Sequence, residues 1–179
     1  ESPTCNNDNG ITTQTVSGAS LLAHHHESDF ALLKLEEYPP EDYNIYFSGW
    51  DVTGVNPINC TTIHHPVGDI KKISHHNGVA ISDGWFFDDD THWKINEWSS
   101  GITEPGSYGA PLFNESKQIV GQLHGGESSC DEPIDDYYGK LSHSWEFGLK
   151  DYLDPNNTGI TELNGIGVID SPDPEISYS

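Results

Sequence analysis

The chain has 179 residues, which is enough for one domain with a hydrophobic core or for two small ones. Its 29 acidic residues face seven lysines and no arginine, and the net charge of −22 excludes binding to nucleic acid or to anionic membranes. No apolar run approaches membrane-spanning length, while 18 glycines, 11 prolines and 34% hydrophobic residues favour a loop-rich all-β protein.

The first quarter of the chain predicts two strands followed by a linker. Ile11–Val16 is a candidate strand, and the apolar run Phe30–Leu35 after Asp29 predicts a buried strand. Residues 36–43 are acidic and contain two adjacent prolines, which predicts a connecting segment.

Apolar and polar residues alternate through the middle of the chain, as they do in half-buried strands. A short helix and a tail follow. The predicted strands are residues 44–50, 59–65, 70–74, 92–98, 111–114, 118–125 and 137–145, with loops at 84–90 and 130–136. Residues 149–154 predict a helix that stops at Pro155. Residues 156–179 lack periodicity and predict a linker.

One loop carries a recognisable motif. Residues 101–113 read Gly-Ile-Thr-Glu-Pro-Gly-Ser-Tyr-Gly-Ala-Pro-Leu-Phe. They resemble the nucleophile loop of trypsin-type serine peptidases, in the variant found in secreted bacterial lysyl endopeptidases. Residues 47–51 and 61–74 also resemble that family, and the similarity extends in order from about Cys5 to Pro155.

The resemblance implies an all-β fold of the chymotrypsin and trypsin type, with two β-barrels. Residues 1–38 would be the last strands of the first barrel, residues 39–155 a complete second barrel with a short C-terminal helix, and residues 156–179 a tail towards a downstream region. The first barrel is then only partial in this chain.

The resemblance also implies that the catalytic parts are incomplete. Asp29 matches the triad aspartate, and Gly106 matches an oxyanion-hole donor. Tyr108 occupies the position of the nucleophilic serine. The family's catalytic histidine precedes the triad aspartate, and no residue upstream of Asp29 matches its context. Ser107 is the alternative nucleophile, but neighbouring positions in such a turn point in different directions.

The substrate-binding parts are better retained. Asp136 matches the acidic residue at the base of the lysine pocket, although it could also be one more surface acid in an acidic chain. His124 and Trp85 match residues that flank the pocket. Gly125 belongs to the segment that pairs with the substrate backbone.

The chain has three cysteines, so at least one of them cannot form a disulfide within the chain. By resemblance, Cys5 and Cys130 would form disulfides with a missing upstream segment, supplied by the same protein or by a separate chain. Cys60 has no family counterpart. The cysteine spacing does not fit a zinc site.

No metal or cofactor is predicted. The side chains of His24–His26 alternate between faces on an extended strand, so the three cannot converge on one ion. Residues 88–90 are three aspartates but lack the calcium-loop pattern. His64 and His65 match a structural histidine pair of the family.

The resulting hypothesis is a catalytically inactive, lysyl endopeptidase-like domain. It would be a binding or structural module of a secreted or cell-surface bacterial assembly, with lysine-containing peptides as partners. The alternative is an active endopeptidase that cleaves after lysine, with its histidine supplied from upstream. A third reading is a structural subunit, in which Asp136 and His124 would be buried under a neighbouring subunit.

Overall fold

The computed structural model describes residues 13–86 and 90–167, and most of their regular structure is β-strand. The strands are β1 (Ala19–His25), β2 (Phe30–Leu35), β3 (Tyr46–Phe47), β4 (Gly49–Asp51), β5 (Thr61–His64), β6 (Lys72–His75), β7 (Ile81–Asp83), β8 (His92–Glu97), β9 (Pro111–Phe113), β10 (Gln118–Gly126), β11 (Ile134–Lys140), β12 (Glu162–Leu163) and β13 (Ile166–Gly167). Two short helices, α1 (Leu141–Ser144) and α2 (Lys150–Leu153), flank a π-helical segment at Trp145–Leu149. The predicted all-β class with a short C-terminal helical region is confirmed. Among the described residues, no helix is both long and apolar enough to cross a membrane.

The strands form one large sheet and two small ones. The large sheet has nine strands, in the order β6-β5-β9-β10-β11-β8-β7, with β4 beside β10 and β12 beside β4. Its two ends approach each other where His75 in β6 bridges to Ser100, just after β8. The sheet therefore curls strongly, although the described strands do not pair into a closed ring. β1 and β2 form a separate antiparallel hairpin, and β13 pairs with β3.

Two hydrophobic clusters form the core. The larger one lies within the curled sheet and contains Cys60, Ala80, Trp93, Ile95, Trp98, Ala110, Leu112, Val120, Leu123 and Tyr138. The smaller one joins Phe30 of the hairpin to Trp50, Leu141 and Leu149. Burial of such side chains contributes about 1.5–3 kcal/mol each, so the second cluster holds the hairpin against the main sheet.

Polar contacts fix the turn of the hairpin. Gln122 Nε2 donates a hydrogen bond to the Ser28 carbonyl oxygen at 2.6 Å, and Ser28 Oγ lies 3.0 Å from Ser144 Oγ. A Cβ at position 139 would lie 1.9 Å from the Ser28 carbonyl oxygen, so only glycine allows this approach. These contacts place Asp29, the next residue, beside β10.

The predicted strand at residues 137–145 is wrong beyond Lys140. There the chain turns into α1, and Ser144 Oγ donates to the Lys140 carbonyl oxygen at 3.1 Å. Leu141, Ser144 and Trp145 pack inward at helical i, i+3, i+4 spacing, which an extended strand would split between two faces. The loop predicted at residues 130–136 is also shorter, since β11 begins at Ile134.

The tail is not a free linker throughout. β12 pairs with β4, and Gln118 Nε2 donates to the Leu163 carbonyl oxygen at 3.4 Å. Strands of two residues are too short to produce a readable pattern, so the sequence did not predict them. Residues 168–179 lie outside the described residues. The strand predicted at Ile11–Val16 begins outside them, and residues 13–18 are not in a strand.

Candidate functional site

The loop between β8 and β9 presents Tyr108 on the surface. Gly106 has φ of +97°, a conformation that favours glycine. The Gly109 N–H donates to the Leu123 carbonyl oxygen in β10 at 2.8 Å, and the Ala110 N–H donates to the Ser107 carbonyl oxygen at 3.0 Å. The backbone is therefore held against β10, while Tyr108 is 62% exposed.

The neighbouring Ser107 points into the protein. Its Oγ lies 2.8 Å from His64 Nδ1, and His64 Nε2 lies 3.2 Å from Ser74 Oγ. Ser107 and His64 are each 3% exposed. Burial lowers the pKa of His64, so this imidazole is neutral at pH 7. The sequence identified His64 as structural but gave no sign of its contact with Ser107.

Asp29 lies on the turn between β1 and β2, with φ of +48°. Its side chain is 50% exposed, and Oδ2 lies 3.9 Å from His124 Nε2. That separation is too long for a hydrogen bond. The predicted triad and pocket residues Asp29 and His124 are thus brought close together.

A hydrogen-bonded chain continues from His124 into the core. His124 Nδ1 lies 2.9 Å from His92 Nε2, and His92 Nδ1 lies 2.7 Å from Thr91 Oγ1. Burial lowers the pKa of His92 to about 4, with further lowering from nearby His124. Sequence reasoning missed Thr91 and His92, because a strand residue gives no sign of contact with a residue 32 positions away.

The depressed pKa of His92 should make the protein acid-labile. Between about pH 6.5 and pH 4 the unfolded chain binds a proton at this position that the folded chain does not, so stability falls as the pH falls. The shift corresponds to a loss of about 3 kcal/mol. Urea unfolding of His92→Gln at pH 7 and pH 4 should show a smaller pH difference than wild type. The same substitution at exposed His65 should leave the difference unchanged, and an equal pH difference in His92→Gln would contradict this assignment.

Two aromatic side chains, Trp85 and Tyr137, pack beside His124. The Trp85 ring stacks on Tyr137 with centroids 5.1 Å apart and meets His124 edge-on at 4.8 Å. A Cβ at position 125 would lie 2.6 Å from the Trp85 ring, so Gly125 permits this packing. The structure therefore brings together the predicted Trp85, His124 and Gly125, and it adds Tyr137.

Asp136 precedes Tyr137 in β11, so its side chain points to the opposite face of the strand, where it is buried with 1% of its surface exposed. Its Oδ2 accepts hydrogen bonds from Trp98 Nε1 at 2.6 Å and Thr103 Oγ1 at 2.7 Å. Burial raises the pKa of Asp136, and hydrogen bonds from Trp98, Thr103 and Ser128 oppose that rise. None of the ion pairs within the described ranges involves Asp136. A buried carboxyl group with a raised pKa is a candidate functional residue.

The cysteines lie in different environments. Cys60 is buried, and burial raises its pKa to about 12, so it is an unreactive core residue. Cys130 is exposed and has a free thiol. Cys5 lies outside the described residues, as do Asp88 and Asp89 of the aspartate run.

The comparisons with known proteins agree with the loop motif. A family model described as the lysyl endopeptidase C-terminal domain matches residues 1–139. The chain belongs to this lysyl endopeptidase family. It is also 34% identical over 142 residues to a lysyl endopeptidase of Pseudomonas aeruginosa, in a match that covers 75% of this chain. The chain spans 30% of the length of that relative.

Among solved structures, the chain is similar to the Rv3671c protease of M. tuberculosis. The active form gives a TM-score of 0.46 at 16% identity and covers 74% of this chain and 57% of the other. The inactive form gives the same TM-score and identity and covers 74% and 66%.

Proposed function

We propose that this lysyl endopeptidase-like domain binds lysine-containing peptides without cleaving them. It would act as a binding module of a secreted or cell-surface bacterial assembly. The observation that carries the proposal is the combination of Tyr108 at the nucleophile position with the buried carboxylate of Asp136. In this proposal the domain has lost the ability to cleave peptides but has kept the pocket that binds lysine.

A phenol is unsuited to the task of the nucleophilic serine. An ordinary tyrosine has a pKa near ~10, and its oxygen lies several bonds further from the backbone than a serine oxygen. Acyl transfer also requires a base within hydrogen-bond reach of the nucleophile. Asp29, at the triad position, faces His124 at 3.9 Å, and that imidazole is already bonded to His92.

The lysine pocket is proposed from the surroundings of Asp136. A lysine ammonium would supply the positive charge that the carboxylate lacks among the described residues. Trp98 and Thr103, which donate hydrogen bonds to the Asp136 carboxylate, would lie next to the ammonium. The net charge of −22 would assist the approach of basic peptides.

A partner segment is proposed to cover the hairpin. Leu21 and Leu33 are each 56% exposed, and Leu35 is 48% exposed. A lone two-stranded sheet with exposed leucines is marginally stable in water. We infer that an upstream segment, or a separate chain of the same protein, packs there and provides cysteines for Cys5 and Cys130.

The second candidate is an active endopeptidase that uses Ser107. The contact of 2.8 Å between Ser107 Oγ and His64 Nδ1 favours it, since a nucleophile and its base lie at such distances. The loop motif opposes it, because Tyr108, and not Ser107, occupies the position of the family's nucleophilic serine. In addition, the other imidazole nitrogen contacts the Ser74 hydroxyl and not a carboxylate.

Calorimetric titration of the complete protein tests the binding proposal. One peptide would contain a single lysine, and a matched peptide would carry norleucine, which has the same stem without the ammonium. The lysine peptide should bind at least about tenfold more tightly, since a buried charge pair is worth more than 1.4 kcal/mol. Equal affinities would reject the pocket.

A further inference from the structure

Three metal-binding side chains meet where the hairpin contacts the C-terminal helical region. His25 lies at the end of β1, Glu27 on the turn that follows, and His143 in α1. Their ligand atoms all lie within 4.8 Å of one another, and His143 Nε2 is 3.2 Å from Glu27 Oε2. Two imidazoles and one carboxylate are the donor set of known three-ligand zinc sites.

We propose that His25, Glu27 and His143 bind one divalent transition-metal ion, with Zn²⁺ as the best match. The ion would join the β1–β2 turn to α1, two segments that are 116 positions apart in the sequence. Three protein ligands would leave a fourth position for water or for another ligand.

The geometry requires only a small adjustment. Tetrahedral Zn²⁺ with bonds of about 2.0–2.1 Å places its ligand atoms roughly 3.3 Å apart. The contact between Glu27 and His143 already meets this value, and closing a separation of up to 4.8 Å requires the ligand atoms to approach by at most about 1.5 Å. The side chains of Glu27 and His143 are 37% and 24% exposed, which leaves room for rotation and for entry of the ion.

The ligands and the residues around them favour a transition-metal ion over Ca²⁺ or Mg²⁺. The Phe147 ring stacks on His25 with centroids 3.7 Å apart, and it lies 4.8 Å from the His143 ring. The aromatic ring thus packs against both imidazoles and restricts their orientation. Imidazole nitrogen suits Zn²⁺, Cu²⁺ and Ni²⁺, whereas Ca²⁺ and Mg²⁺ prefer oxygen ligands.

The site differs from the histidine run considered in the sequence. Of His24–His26, only His25 joins the cluster, because adjacent residues of a strand point to opposite faces. Its partners come from the following turn and from a helix that the sequence predicted as a strand. An ion bound only by the folded chain stabilises that chain.

The test is thermal unfolding and calorimetry of the complete, chelator-treated protein with added ZnCl₂. We expect one bound ion, and a rise in Tm of several degrees when free Zn²⁺ exceeds Kd about a hundredfold. His143→Ala and Glu27→Gln should each weaken Zn²⁺ binding by at least about tenfold, since even the loss of an outer-shell partner weakens binding about 10–100-fold. Glu27→Gln changes little else, because partly exposed ion pairs contribute at most about 1 kcal/mol.

Substitution of exposed His24 by alanine is the matched control and should leave Zn²⁺ affinity unchanged. The proposal would be overturned if Zn²⁺ failed to bind, or if Glu27→Gln and His143→Ala bound it as tightly as wild type. It would also be overturned if Mg²⁺ raised Tm as much as Zn²⁺, since that would indicate general charge screening on an acidic surface.

Discussion

Replacement of Tyr108 by serine should create cleavage after lysine in the complete protein, because the proposed function leaves the wild type without this activity. The loop backbone already has the Gly106 conformation with positive φ and is held to β10 through Gly109. A serine at position 108 would place a small hydroxyl at the exposed tip of that loop. Loss of the nucleophile costs serine peptidases about six orders of magnitude in kcat, so even partial recovery is measurable.

The matched control is Tyr108→Ala, which removes the ring without adding a hydroxyl. It should remain inactive towards a lysine p-nitroanilide substrate when Tyr108→Ser becomes active. The gain requires a catalytic histidine from the upstream region, in line with the proposal that this region completes the first barrel. Equal activity of the serine and alanine variants would show that position 108 is not the nucleophile position.

Asp136→Asn should abolish most of the affinity for lysine peptides. Asparagine has nearly the same shape, and its oxygen can still accept hydrogen bonds from Trp98 and Thr103. Only the negative charge is lost. Loss of one partner of a buried charge pair costs about 2–5 kcal/mol, which is roughly thirtyfold to several thousandfold in Kd.

Asp135→Asn is the control for this substitution. Asp135 is the adjacent residue, and its carboxylate pairs with Lys94 at 2.9 Å instead of lying in the core. The control variant should bind the lysine peptide as the wild type does. A similar loss of affinity in both variants would mean that general charge attraction, and not a pocket at Asp136, selects lysine.

The sequence predicted the fold class and several strands because their signals are local. The alternation at residues 59–65 and 70–74 became β5 and β6, and the helix predicted at residues 149–154 became α2. The local sequence pattern gave the wrong prediction where tertiary packing determines the backbone conformation. The chain turns into α1 after Lys140, whose ammonium is buried over the Trp93 ring and paired with Asp90.

The arrangement of the site was predictable only in part. Motif similarity identified Asp29, Asp136, His124, Gly125 and Trp85. The structure brings four of them together at one end of β10, and it places the Asp136 side chain on the other face of β11, against Trp98 and Thr103. The contacts between Ser107 and His64, and between His25, Glu27 and His143, were not predictable. They join residues that are 43 and 116 positions apart, and they depend on how the elements pack.

The proposed loss of catalysis is tested most directly by treating the complete wild-type protein with a serine-directed phosphonate and a lysine-specific chromogenic substrate. We expect no covalent adduct by intact-mass analysis and no release of chromophore above the buffer rate. A phosphonate adduct on Ser107 or Tyr108, together with cleavage after lysine, would contradict it.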